Sequence, residues 1–229
     1  MMNTSGSLPK KTSIIMVSYD RTPVHRNITS AALGNVNMYT DKEDYELILI
    51  ENEPLGDLNR KYQLFTLDHH IIKDKDIGIS ASRNLGAKIA DKESEYFCFI
   101  DNDVFVWEGW LQKLRSYIES GEWDAMWPHQ CSTTREFVKR SYKEEERGND
   151  DAGLILITRE AFEKTGGWDK RFFSVYHEAA FRKKMSEAEI RVGCTNQVII
   201  THLNGATTFY LEDFDKKIKK EGDFLHNRK

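Results

Sequence analysis

The feature that most constrains this chain is a short apolar run, residues 96–100 (YFCFI), that stops abruptly on Asp101-Asn102-Asp103. Five apolar or aromatic residues in a row bounded by polar ones read as a central β-strand. The segments before it set up an alternation. Residues 12–17 (TSIIMV) are a β-branched strand ending at the turn SYDR. Residues 23–38 carry Ile28, Ala31, Ala32 and Val36 at helical spacing, with Pro23 suited to a first helical turn. A second strand spans 45–50 (YELILI) and ends at ENEPLGD, a weaker third is expected over 62–67, and a helix over 80–90. Strand alternating with helix predicts an α/β fold, a mostly parallel central sheet flanked by helices. In such sheets ligands bind beyond the carboxyl ends of the strands, where Asp101-Asn102-Asp103 would stand.

The second half is less regular. It predicts a helix over 107–118, a strand over 124–128, a charged connection over 135–149 and a strand over 154–158 (LILIT). A helix follows over 159–164, broken by Gly166-Gly167; then come a helix over 179–189 and a last strand over 197–201. There is no internal repeat and no domain linker. The organisation expected is a flexible leader over 1–11, one α/β domain over 12–208 and a charged tail over 209–229.

Composition excludes several classes. A length of 229 residues supports one domain with a substantial core. No stretch approaches the roughly 20 apolar residues of a membrane span, and MMNTSGSLPKK lacks the apolar core of a secretory signal. Cys98, Cys131 and Cys194 are odd in number and widely spaced, which argues for a reducing compartment. Cytoplasmic location is therefore expected, and the sequons Asn3-Thr4-Ser5 and Asn27-Ile28-Thr29 carry little weight. A net charge of −4 argues against nucleic acid as a partner without excluding it. The basic stretch Lys216, Lys217, Lys219 and Lys220 reads as a solvated helix face, or as a contact to a membrane surface or an anionic acceptor.

Two carboxylates at one strand end repel unless a cation or hydrogen-bond donors compensate. Mg²⁺ or Mn²⁺ suits them, because both ions accept carboxylate and phosphate oxygens together. An isolated Asp-x-Asp can also be a cap or a turn; the strand before it favours the metal.

The stretch GISASRNLGAKIADKESEYFCFIDNDV resembles the family-2 glycosyltransferases of the GT-A fold, with Gly78, Arg83, Asn84 and Gly86 in the expected order and Ser82 where Ala is usual. VSYDR, ILIENE (Glu51 for the usual Asp), GGWDKRF and Thr201-His202-Leu203-Asn204-Gly205 extend the resemblance over roughly residues 12–208. It implies transfer of a sugar from a nucleotide-diphosphate donor, UDP being the commonest carrier, to a hydroxyl acceptor with inversion. Val17, Ser18, Tyr19, Asp20, Glu51, Arg83, Asp101 and Asn102 would then line the nucleotide site, and Asp101, Asp103 and His202 would hold Mn²⁺ or Mg²⁺. Arg83 as a capping arginine and His202 as a satisfied strand-end histidine are the plain alternatives.

The family carries an acidic pair after the GGWD-like turn. Here Glu178 is the carboxylate available, with Ala179 in place of a second acid. Glu178 would be the general base, with Asp169 second, although Gly-Gly-Trp-Asp also reads as a turn. Trp168 either stacks on a sugar or packs in the core. A sugar-1-phosphate nucleotidyltransferase would carry glycines after the first strand, where SYDRTPVHR has none. A catalytically inactive sugar-nucleotide or glycan binding module stays open, on the strength of Ala179-Ala180. The acceptor, whether glycan, protein or modified nucleobase, is not specified by the sequence.

Overall fold

The computed structural model describes residues 12–54, 62, 65–131, 153–203 and 214–226. The elements are β1 (Thr12–Ser18), α1 (Pro23–Tyr39), β2 (Tyr45–Asn52), β3 (His69–Lys73), α2 (Ile79–Ile89), β4 (Tyr96–Asp101) and β5 (Val104–Phe105). They continue with α3 (Trp110–Glu119), β6 (Ala125–Cys131), β7 (Leu154–Thr158), α4 (Arg159–Thr165), α5 (His177–Glu187), β8 (Val192–His202) and α6 (Phe214–His226).

The strands form one sheet in the order β3-β2-β1-β4-β7-β6-β8-β5. β3, β2, β1 and β4 run parallel, as do β6 and β8. β7 is antiparallel to both its neighbours, and β5 is antiparallel to β8. β1 and β2 are buried along their whole length, which is why they read as continuous apolar runs. α1 starts where expected: Pro23 sits in its first turn and Thr22 Oγ1 accepts from His25 N at 3.2 Å. α2 lies close against β1 because Gly86 has no side chain; a Cβ there would come within 2.4 Å of Ile15 Cγ2. α4 ends on Gly166 at φ 70, a left-handed cap that glycine adopts without strain.

Three expectations are corrected. The described residues of the 62–67 segment, Tyr62 and 65–67, are not in a strand. Tyr62 is buried, its hydroxyl donating to Asp20 Oδ2, and the strand comes later, as β3. β3 pairs only with β2 at the sheet edge, so its HHIIK sequence needs no apolar run. The helix expected from 107 begins at Trp110, after Gly109 in the left-handed region. The last strand is longer than 197–201, because β8 follows β6 from Val192 onward past a register shift at Pro128/His129.

The leader over 1–11 with its sequon, the connection over 135–149 and Asn204-Gly205 lie outside the described residues, as does the first part of the 209–229 segment. Among the described residues, no helix is long and apolar enough to cross a membrane.

Candidate active site

The sheet register places the expected residues along one edge. Val17 lies opposite Asp101 across β1/β4, and Ser18 opposite Glu51 across β1/β2. All stand at the carboxyl ends of parallel strands. The triplet after β4 is held from α1. Asn102 Nδ2 donates to Thr29 Oγ1 at 2.8 Å, and Asn35 grips Val106 through both its amide oxygen (2.6 Å) and its amide nitrogen (3.1 Å). Thr29 donates in turn to Asp20 Oδ1 at 2.8 Å. Asp20 and Asn102 are thus buried and joined through one threonine, which ties the turn after β1 to the turn after β4. Burial raises the Asp20 pKa, and the hydrogen bonds from Tyr62 and Thr29 oppose that rise.

His202 arrives from the other end of the chain. Val104 pairs with His202 across β5/β8, and Leu203 N donates to Asp103 O at 3.1 Å. His202 Nε2 then lies 3.0 Å from Asp103 Oδ1 and 3.9 Å from Asp101 Oδ2. Ligand atoms of Asp101, Asp103 and His202 all fall within 4.8 Å of one another. Behind the ring, Gln130 Oε1 lies 3.1 Å from Nδ1. With the proton on Nδ1 donated to that amide oxygen, Nε2 is left to coordinate, the arrangement that orients metal-binding imidazoles. Burial, the largest influence on His202, lowers its pKa; the hydrogen bond to Asp103 and the charges of Asp103, Asp101 and Glu178 more than reverse this, so the net shift is upward. Two carboxylates and one imidazole are a donor set that fits Mn²⁺ better than Mg²⁺, which prefers oxygen throughout.

Gly153, just before β7, closes over this group. Its carbonyl accepts from Asp101 N at 2.7 Å. A Cβ there would stand 2.8 Å from Asp101 Oδ2 and 2.8 Å from His202 Cε1. Sequence reasoning did not pick out Gly153 or Gln130; their contacts come from sheet partners distant in sequence, and neither carries a local signal.

Arg83 projects from α2 and is almost wholly buried. Its Nη2 donates to Asp101 Oδ1 at 2.5 Å and lies 4.0 Å from Glu178 Oε1. Nη1 is buried with no hydrogen-bond partner among the described residues. The guanidinium sits 4.2 Å from the Trp168 ring centroid. Trp168 is buried, stacked on Phe181 at 4.1 Å and set edge-on to Phe99 at 5.3 Å, which resolves the reading of this residue in favour of the core. Asn84 fixes its backbone with two 2.8 Å hydrogen bonds.

At the base end, Glu51 is fully buried. Oε2 lies 2.8 Å from His70 Nε2, and Oε1 has no partner among the described residues. The Ser18 hydroxyl is likewise buried without one, while Val17 is buried beside it and Tyr19 is half-buried. Glu178 stands in the first turn of α5, where its charge reaches both Arg83 and His202. Asp169 is differently placed: its carboxylate accepts from Arg171 N, Nε and Nη2. His177, which sequence reasoning passed over, precedes Glu178. Burial first, then the positive charge of Arg83, lowers its pKa to about 3, so the ring is neutral.

The model of glycosyl transferase family 2 matches residues 13–189. No curated protein sequence matches the chain. The fold is similar to that of GalNAc-T7, crystallised with UDP, GalNAc and Mn²⁺, at TM-score 0.69 and 14% identity, over 93% of this chain and 48% of that one. It is also similar to S. aureus TarS residues 1–349, at TM-score 0.63 and 15% identity, over 83% of this chain and 60% of that one. The chain thus spans about half of the first of these and three fifths of the second. The architecture is the GT-A fold.

Proposed function

The chain belongs to glycosyl transferase family 2; from that premise we propose that it is a glycosyltransferase that moves a sugar from a nucleoside-diphosphate donor, UDP being the favoured carrier, to a hydroxyl acceptor with inversion at the anomeric carbon. The observation that carries this reading is the convergence of Asp101, Asp103 and His202 with Arg83 and Glu178 at one sheet edge.

Asp101, Asp103 and His202 would hold Mn²⁺ or Mg²⁺, and the ion supplies charge neutralisation for the diphosphate and the leaving group. Arg83 adds a fixed positive charge beside it, already oriented by Trp168 and Asp101. Glu51 offers its unpartnered, buried Oε1 to an N–H of the base or a ribose hydroxyl. Ser18 and the other β1-end residues line the same nucleotide wall. Asp20 and Asn102 act beneath it, through the Thr29 link.

Glu178 takes the proton of the acceptor hydroxyl as that oxygen attacks C1 from the face opposite the leaving diphosphate. One displacement suffices, and no covalent enzyme intermediate forms. Asp169, held by three donors of Arg171, serves the turn rather than the reaction. That the GalNAc-T7 structure contains UDP and Mn²⁺ supports the same pairing here.

The test is a thermal-shift screen of UDP-, GDP- and CDP-sugars with and without Mn²⁺, since a ligand bound only by the folded chain raises Tm. A shift with a UDP-sugar that needs Mn²⁺ supports the reading. UDP-sugar binding indifferent to Mn²⁺ and to chelator would remove the metal from it.

A further inference from the structure

The C-terminal helix α6 lies beyond the family-model match, which ends at residue 189, yet it carries a buried carboxylate. Glu221 is 2% exposed. Its Oε1 accepts from Ser174 N at 3.0 Å and from Ser174 Oγ at 3.2 Å; Oε2 accepts from Val175 N at 2.8 Å and, more weakly, from Ser174 N at 3.3 Å. A buried carboxylate is costly unless donors satisfy it. Here those donors all come from two consecutive residues, and no cation pairs with Glu221 among the described residues.

Those two residues occupy a decisive position. Immediately before them, Phe173 O accepts from Ile79 N at 2.8 Å, at the start of the helix that carries Arg83. The neighbouring Gly78 has φ +83, and a Cβ on it would come within 2.6 Å of Phe173 Cδ2. Immediately after them, Tyr176 has φ 53, a left-handed conformation that non-glycine residues rarely adopt, and it begins the helix that carries Glu178. A Cβ on Gly222, next to Glu221, would stand 3.6 Å from Tyr176 Cε2, so the helix passes close beside that ring. The segment 173–175 is therefore fixed to α2 on one side and to α6 on the other. A left-handed residue persists only where its surroundings over-determine it.

We propose that Glu221 is a positioning residue for Glu178: by binding the Ser174 and Val175 amides it sets the left-handed entry into α5 and so the reach of Glu178 toward the acceptor hydroxyl. The C-terminal helix is thereby part of the catalytic apparatus rather than an appended charged tail. This rests on the reading of Glu178 as the base, and the experiment separates the two.

Donor hydrolysis, with water as acceptor, is followed as UDP release from UDP-hexoses and UDP-N-acetylhexosamines in Mn²⁺. Wild type, Glu178→Gln, Glu221→Gln and the double variant of the full chain are compared. Displacing a group by about 1 Å can cost roughly a hundredfold in rate. Glu221→Gln is expected to lower kcat by about tenfold or more, with KM for donor within about twofold, because the donors to Glu221 among the described residues are Ser174 and Val175, neither of them a proposed donor-binding residue. The double variant is expected to be no slower than Glu178→Gln alone, since Glu221 acts only through Glu178. A Glu221→Gln enzyme with unchanged kcat, beside a crippled Glu178→Gln enzyme, overturns the positioning role and leaves the base standing. Losses that multiply in the double variant also overturn it. An active Glu178→Gln enzyme overturns the base itself, whatever Glu221→Gln does. Should Glu221→Gln fail to fold, Ser174→Ala removes one of the same contacts. It should lower kcat by a few fold at constant donor KM, and an unchanged kcat there overturns the proposal.

Discussion

Arg83 Nη2 donates to Asp101 Oδ1 at 2.5 Å while the Arg83 guanidinium rests 4.2 Å from the Trp168 ring centroid. The arginine is thus gripped by a carboxylate and supported by an aromatic face, within reach of Glu178 at 4.0 Å. A planar, permanently charged fork suits that double role, and a lysine does not reproduce it. Arg83→Lys is expected to keep the fold and lower kcat/KM by roughly 10- to 100-fold, the usual worth of a charge-assisted hydrogen bond. Arg83→Met should in addition lower Tm, because it strips Asp101 of its partner. Activity and melting curves on the two variants check this; full activity in Arg83→Lys would mean that only the charge matters.

Gly153 provides a test of the proposed metal group that alters none of its candidate ligands. Gly153→Ala places a methyl 2.8 Å from both Asp101 Oδ2 and His202 Cε1, closer than real Cβ contacts allow. The ligands must shift. Mn²⁺ affinity, read by titration against UDP-dependent fluorescence or calorimetry, is expected to fall by about 10- to 100-fold, as for supporting residues of other metal sites. Unchanged affinity would show that Asp101 and His202 are not jointly bound to the ion.

The fold was legible in the sequence because its signals are local. Apolar runs marked β1, β2, β4 and β7, and their alternation with helical spacing gave the parallel core. β3 escaped because an edge strand of sequence HHIIK needs no apolar run. Asp101 and Asp103 were legible as a candidate metal pair from the strand end, whereas His202 joined them only through the family resemblance, since it reaches Asp103 by strand pairing of β5 with β8. Gln130, Gly153 and Glu221 were not legible at all. Each contributes through a partner tens of residues away: Gln130 to His202, Gly153 to Asp101, Glu221 to Ser174.

With His202 as a proposed ligand, the pH dependence of metal binding is predictable. The neutral imidazole coordinates and the protonated one does not, so proton and metal compete for Nε2. The pKa of His202 is raised overall in the metal-free chain: burial lowers it, but the Asp103 hydrogen bond and the surrounding carboxylates outweigh that. Mn²⁺ affinity should therefore climb as pH rises through this raised value, and His202→Ala should bind more weakly with a flatter profile. In the metal-free chain the sign is opposite. The His202⁺–Asp103 pair stabilises fully below the unfolded histidine value of about 6.5, and this contribution is lost as pH rises through the folded value. The Tm difference between wild type and His202→Ala, measured in chelator, should shrink with rising pH. A difference that grows would refute the pairing.

Glu178 carries the riskiest assignment, since Ala179 stands where the family has a second acid. Glu178→Gln keeps shape and volume while removing basicity. Donor binding should change little, because the residues proposed to hold nucleotide and metal lie at the ends of β1, β2 and β4, on α2 and at His202. Turnover, whether transfer or donor hydrolysis, should fall by about two to four orders of magnitude, the usual contribution of a positioned base. The loss should sit in kcat, because proton removal is needed in the transition state and not in the ground state. Asp169→Asn is the matched control. Asp169 holds Arg171 through its side chain and sits in the turn that caps the Trp168 core, so its substitution should lower Tm modestly and leave kcat within a few fold. A dead, folded Asp169→Asn enzyme with intact donor affinity, alongside an active Glu178→Gln enzyme, would transfer the role of base to Asp169. Two active variants would mean that water or substrate, rather than either carboxylate, accepts the proton.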